Sequence, residues 1–209
     1  MHQASRSRIN VVTGARSGMG KATTKLLRSR GERVLGIDLY DCEIEADLSH
    51  RAGREAAVAA VRAACPEGID ALILCAGLGG GMAPGESVVS VNYFGAVEIG
   101  EALLPLLARG TAPRVAVVSS SASILDFDEA IVAACLAGDE PRARHAATAG
   151  SPEELARRAG PVYAASKRAL SRWIRRTSVQ AQWAGAGILL SVGDAGRWAS
   201  RAHRQVALA

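Results

Sequence analysis

Eight residues constrain this chain more than any others: Thr13-Gly14-Ala15-Arg16-Ser17-Gly18-Met19-Gly20. They leave a short β-type run, Ile9–Thr13, and open a helical pattern that lasts to about Arg30, with Gly31 as its C-terminal stop. Glycines at such a junction let the backbone turn sharply and come close to a pyrophosphate. The helix start adds free N–H groups and the positive end of the helix dipole. Gly14, Arg16, Ser17, Gly18, Met19 and Gly20 are therefore candidates to cradle a dinucleotide. A glycine turn alone is weak evidence, so the rest of the chain must supply the context.

That context is a regular alternation. Arg33–Ile37 reads as a second strand, Glu43–Ala46 as a short third, and Asp47-Leu48-Ser49 as the opening of a helix to about Ala64. Ala71–Cys75 is a fourth strand ending in Ala76-Gly77 and a glycine-rich loop, Gly79 to Gly81. A helix over Val91–Arg109 and a fifth strand, Arg114–Ser119, follow. Apolar residues make up 49% of the chain but aromatics only 4%, so the core must be built from Ala, Val, Leu and Ile, which suits parallel strands covered by helices. From about 124 to 160 the alternation breaks into two or three short helices, one ended by Gly138 and one begun by Ser151-Pro152-Glu153-Glu154. A long helix over Val162–Gly185 and a sixth strand, Gly187–Val192, complete the pattern. The expectation is one α/β domain over residues 1–209: a Rossmann-type doubly wound parallel sheet, a helical insertion at about 124–160 and an aberrant tail at about 193–209.

Two further features carry chemistry. Asp38 ends the second strand 24 residues beyond Gly14, near the separation of about 20 expected for a carboxylate that binds the adenosine ribose 2′-OH. It would repel a 2′-phosphate, which favours NAD(H) over NADP(H), although Arg16 offers a phosphate a partner if Asp38 turns aside. Asp38 is otherwise a cap on a strand–loop junction. Tyr163 and Lys167 stand four apart, on one helix face. A free phenol with a pKa near 10 is a poor base, and a neighbouring ammonium together with a positive nicotinamide brings it toward working range. Alone, the pair also reads as a solvated helix face with the lysine snorkelling.

The net charge is +5, but Arg197, Arg201 and Arg204 supply three of those units, and no basic stripe interleaves with aromatics, so no nucleic-acid partner is expected. Cys42, Cys65, Cys75 and Cys135 show no metal-ligand spacing and read as reduced thiols, Cys75 as a small hydrophobe inside an apolar run. No secretory apolar region and no run long enough for a membrane span are found, which points to a cytoplasmic protein without metal or membrane partner.

The spacing GxxxGxG, joined to Tyr163-Ala164-Ala165-Ser166-Lys167, resembles the short-chain dehydrogenase/reductase family. The resemblance implies that Asp47 and Leu48 sit at the adenine and that Ala76 and Gly77 line the cofactor. It implies that Tyr163 exchanges the hydroxyl proton while hydride passes to nicotinamide, and that Lys167 lowers the tyrosine pKa and binds the nicotinamide ribose. Ser120, within Ser119-Ser120-Ser121, would position the substrate oxygen, and Asn92 would support a water relay to the lysine. The family's usual Asn-Asn-Ala-Gly reads Leu74-Cys75-Ala76-Gly77 here, a departure in its first two positions. Within the family the likeness is to the bacterial hydroxysteroid dehydrogenase/carbonyl reductase branch, carried by Gly36-Ile37-Asp38, Ala46-Asp47-Leu48-Ser49 and the run Val88 to Ala96. The insertion, which separates Ser120 from Tyr163 by 43 residues, matches as well and in those relatives alters the dimer interface. The implied substrate is a hydroxysteroid-like secondary alcohol or its ketone, in a homo-oligomer. Coniferyl-alcohol dehydrogenases share several features, which leaves an aromatic alcohol open.

Past Gly187 the likeness fails. The family's Pro-Gly is absent from Val192-Gly193-Asp194-Ala195-Gly196, and only Gly196 and Ser200 fall where its glycine and threonine would align. A frameshift near Gly193 is the expectation, with a seventh strand and substrate loop missing, an exposed hydrophobic edge on the sixth strand and weak or absent activity. A truncated, non-catalytic NAD-binding protein is accordingly the second reading.

Overall fold

Short runs of β-branched and aliphatic residues pair side by side in the computed structural model, which describes residues 6–194. The strands are β1 (Ile9–Thr13), β2 (Arg33–Asp38), β3 (Ile44–Glu45), β4 (Ala71–Leu74), β5 (Arg114–Ser119) and β6 (Leu189–Asp194). All their pairings are parallel, in the order β3-β2-β1-β4-β5-β6. Val11 and Val12 point to opposite faces, as the two-residue period of a strand requires, and both are fully buried. Both faces of the sheet centre are therefore covered. Helix α1 (Gly18–Ser29) packs on one, where Leu27 meets Val12, Val34 and Ile73. Helices α2 (Arg51–Ala64), α3 (Gly85–Val89) and α4 (Gly95–Leu107) build the larger core on the other. Strand order reverses between β1 and β4, and the crevice that such a switch opens at the strand C-termini is where ligands enter open α/β sheets.

The insertion is helical. A 3₁₀ turn, Ser121–Ile124, leads to α5 (Glu129–Leu136) and α6 (Glu140–Thr148), each capped by an aspartate, Asp128 and Asp139. Gly138 at φ 73° turns the chain between them. The expected third short helix and the long helix after it are one element, α7 (Pro152–Thr177). Its capping box is as expected, with Ser151 and Glu154 exchanging backbone N–H bonds. Pro161 lies inside it and forgoes one backbone bond. Ten buried side chains along its inner face outweigh that loss, so Gly160-Pro161 does not break the helix. The helix also ends earlier than expected, at Thr177, and Ala181–Gly185 forms a separate π turn.

Two other boundaries move. Helix α2 starts at Arg51 because Asp47 instead accepts bonds from the N–H and hydroxyl of Ser49, a local turn that competes with helix. The helix expected from Val91 begins at Gly85 and carries a π turn, Ser90–Phe94, between α3 and α4. At the edge of the sheet among the described residues, β6 leaves Leu189 and Val192 55% and 56% exposed. The tail beyond it, with Gly196, Arg197, Ser200, Arg201 and Arg204, lies outside the described residues. No helix of the described residues is long and apolar enough to cross a membrane.

Candidate active site

The turn after β1 is shaped by what will not fit there. Gly14 adopts φ 69°, and its N–H donates to the Ile37 carbonyl at 2.9 Å, which ties the ends of β1 and β2 together. A Cβ at Gly20 would lie 2.1 Å from the Gly14 carbonyl oxygen, so only hydrogen fits where α1 crosses the turn. Ser17 is the N-cap of α1 in extended conformation, yet no side chain caps the helix. Its first N–H groups are left for a ligand, and the glycine-lined cradle fits a pyrophosphate.

From this cradle a cleft of about 650 Å³ runs both ways. Gly14, Arg16, Ser17, Gly18, Met19, Gly20, Asp38, Asp47, Leu48, Ala76 and Gly77 all line it. At one end the carboxylate of Asp38 is held by two backbone donors: Arg16 N–H bonds Oδ2 at 2.9 Å and Leu39 N–H bonds Oδ1 at 2.8 Å. Asp38 is thus fixed in place, with lone pairs on both oxygens left over. The Arg16 side chain turns elsewhere, its guanidinium 3.9 Å above the Tyr40 ring and its Nε 3.3 Å from Asp41.

Beyond the cleft's Gly77 wall stands α7; Tyr163 and Lys167 on that helix, like Asn92 and Ser120, do not themselves line the cleft. Lys167 is 4% exposed, its Nζ donates to the Val118 carbonyl at 3.0 Å, and burial pushes its pKa down to about 8. Asn92 sits in the π turn, where its Oδ1 accepts from Leu78 N–H (2.7 Å) and its Nδ2 donates to the Leu78 carbonyl (3.0 Å) and to Ser166 Oγ (3.1 Å). That amide is committed to fixing the strand-end loop. Gly77 runs past both groups: a Cβ there would lie 3.2 Å from Asn92 Oδ1 and 3.5 Å from Lys167 Nζ. Tyr163 is half-buried one turn before Lys167, against the Gly80 backbone. In the serine run, Ser119 Oγ pairs with Ser171 Oγ on α7 at 2.9 Å, whereas Ser120 Oγ caps the 3₁₀ turn by accepting from Ala122 N–H at 3.2 Å. The cap uses an oxygen lone pair and not the hydroxyl proton. Cys75 is half-buried on the cleft wall rather than in the core, and burial raises its thiol to about 11.

Phenol, ammonium and hydroxyl thus come from α7 and the end of β5, beside a cleft whose far end holds a fixed carboxylate. Such a site can bind a dinucleotide and move a proton at its near end.

Two residues escaped the reading of the sequence. Ser166 joins Asn92 to the helix backbone, since its hydroxyl donates to the Tyr163 carbonyl at 2.7 Å. Arg54 is 1% exposed and bonds Glu98, Glu140 and the Leu48 carbonyl. A signal for Arg54 existed: with Ala57, Val58 and Val61 it occupies the helical stripe i, i+3, i+4, i+7 that faces the core.

Comparison with known proteins identifies the family of the chain. The family model described as short chain dehydrogenase matches residues 8–133. The 3-alpha-hydroxysteroid dehydrogenase/carbonyl reductase of Comamonas testosteroni is 44% identical over 189 residues, which cover 88% of this chain and 70% of that protein. The coniferyl-alcohol dehydrogenase of Pseudomonas sp. (strain HR199) is 39% identical over 106 residues, 48% of this chain and 40% of its own. Among solved structures, the 3-alpha-hydroxysteroid dehydrogenase from Pseudomonas sp. B-0831, complexed with NADH, matches with a TM-score of 0.77 at 40% identity over 88% of this chain and 70% of that one.

Proposed function

This chain belongs to the short-chain dehydrogenase family, and we propose that it is an NAD(H)-dependent oxidoreductase that interconverts a hydroxysteroid-like secondary alcohol with its ketone. The observation that carries the cofactor assignment is Asp38, held by two backbone N–H groups at the cleft end opposite Lys167. A carboxylate fixed in that way accepts from a ribose diol and opposes a 2′-phosphate. The NADH complex of the similar hydroxysteroid dehydrogenase supports the same choice.

When bound, the nicotinamide supplies the carbon that gives or takes hydride. The chain supplies the rest. Gly14, Gly18 and Gly20 admit the pyrophosphate, and Ala76 and Gly77 form the wall that leads to the reactive end. Tyr163 holds the proton that moves to or from the substrate oxygen. Lys167, one helical turn further on, steadies negative charge on the phenol oxygen and meets the ribose next to the nicotinamide. Ser120 donates its hydroxyl proton to the same substrate oxygen. Asn92 keeps the Leu78 peptide, and so the floor of the cleft, in one conformation. Met82, Ile124 and Leu125, close in sequence to these groups though none of them lines the cleft, are 86%, 77% and 62% exposed, apolar surface that supports an apolar substrate. A steroid or an aromatic alcohol of the coniferyl type meets that requirement.

Titration with NADH and NADPH by fluorescence, beside turnover on a panel of hydroxysteroids and aromatic alcohols, tests the reading. Tyr163→Phe is expected to lower turnover by about 10²- to 10⁴-fold while leaving NADH affinity nearly unchanged. NADH binding with no Tyr163-dependent turnover would select the second reading, a non-catalytic nucleotide-binding protein.

A further inference from the structure

A buried guanidinium needs neutralising partners, and those of Arg54 come from three separate segments. Glu98 on α4 takes Nε at 2.7 Å and Nη2 at 3.3 Å. Glu140, the first residue of α6 in the insertion, takes Nη1 at 3.2 Å and pairs with Nη2. The third partner is a backbone atom: Nη1 donates to the Leu48 carbonyl at 3.2 Å. Leu48 lines the cleft beside Asp47, at the end occupied by Asp38 and Tyr40. The same segment rests directly on the first turn of α2, where a Cβ at Gly53 would lie 2.0 Å from the Asp47 carbonyl oxygen. Residues 47 and 48 are therefore seated on α2 by one steric contact and one charge-assisted bond.

We propose that Arg54 is a positioning residue through which the inserted helix α6 sets the adenosine end of the cleft. Glu140 orients and neutralises the fork, and the fork holds the Leu48 carbonyl so that the cleft wall is rigid before ligand arrives. Without Glu140 the guanidinium keeps only the partly exposed Glu98 and is drawn toward it, away from Leu48. The insertion so contributes to cofactor binding without touching the cofactor. The inference rests on the NAD(H) reading above.

The test compares NADH with reduced nicotinamide mononucleotide, which lacks the adenosine half, by fluorescence titration. Glu140→Gln is expected to weaken NADH about threefold to tenfold and to leave the mononucleotide unchanged. Arg158→Gln is the control: Arg158 also braces the insertion, pairing with Asp128 and donating to the Ala146 carbonyl at 2.9 Å, but neither partner lines the cleft. It is expected to cost stability without the NADH-selective loss. Equal weakening of both ligands by Glu140→Gln, an unchanged NADH affinity, or the same selective loss in Arg158→Gln each overturns the proposal. If Glu140→Gln does not fold, Arg54→Lys serves instead, because it keeps the charge and removes the fork; it must show the same selective loss. Wild-type protein that binds no NADH would instead overturn the cofactor reading itself.

Discussion

The two ends of the cleft are built by different physics. At the Asp38 end, shape comes from backbone: glycines that leave no room for a Cβ, and N–H groups that fix a carboxylate at the surface. At the Lys167 end, it comes from burial: an ammonium 4% exposed, an amide 1% exposed, and a helix of 26 residues laid across the insertion. The first end costs little to maintain, since its polar groups stay near water. The second stores a cost, because a buried amine is penalised whenever it is charged. Binding is thus cheap in this fold, whereas the reactive end is held at the expense of stability.

Removing the buried charge sharpens that contrast most. Lys167→Met is expected to lower turnover by about 10²- to 10⁴-fold while raising the stability of the ligand-free protein at neutral pH. The sign follows from the depressed pKa. An unfolded lysine binds its proton up to about 10.5, whereas the folded one releases it near 8, so the unfolded state holds more protons between those values and stability rises with pH across that window. The contribution is present above 10.5 and lost as pH falls through 8, roughly 3 kcal/mol at most. Thermal melts from pH 7 to 9.5 should show the advantage of Lys167→Met shrinking as pH rises. Parallel profiles would mean that the amine is not penalised and that the two ends do not differ as described.

Gly20→Ala breaks the other end. Its Cβ meets a backbone oxygen rather than a mobile side chain, so the turn itself must shift. A loss of about 1–3 kcal/mol in stability is expected, with NADH affinity reduced about tenfold or more, as for overpacking elsewhere. A variant that binds NADH normally would show that the cradle tolerates movement and is not set by steric exclusion.

How much of this was legible in the sequence follows the same division. Gly14, Gly20 and Asp38 were readable because a backbone requirement selects a residue type at a short, fixed spacing. Tyr163 and Lys167 were readable because helical spacing puts residues four apart on one face. Strand positions followed from apolar runs, with boundaries off by one or two residues. What stayed hidden depends on contacts distant in sequence. Gly160-Pro161 looked like a helix break, yet packing of α7 against α3 and α5 carries the helix through it. The π turn at Ser90–Phe94 has no local signature, and it is what points Asn92 at Leu78 and Ser166. Arg54 in an alanine-rich helix resembles a surface residue until its place on the buried stripe is noticed, and its partner Glu140 lies 86 positions away.

The smallest effect is expected where the cleft meets solvent. In Asp38→Asn one carboxylate oxygen becomes an amide that faces an N–H donor, so either Arg16 N–H or Leu39 N–H loses its acceptor. Near the surface, water replaces that bond at a cost of about 1 kcal/mol, and NADH should weaken only about fivefold. The negative charge disappears at the same time, so a 2′-phosphate is no longer repelled. NADPH should therefore gain while NADH loses, and their affinity ratio should narrow by about tenfold, most clearly at low ionic strength. Paired titrations at two salt concentrations check this. A ratio unchanged by the substitution would remove Asp38 from cofactor choice. Arg16, whose backbone N–H meets that carboxylate and whose guanidinium stacks on Tyr40, would then have to carry the discrimination.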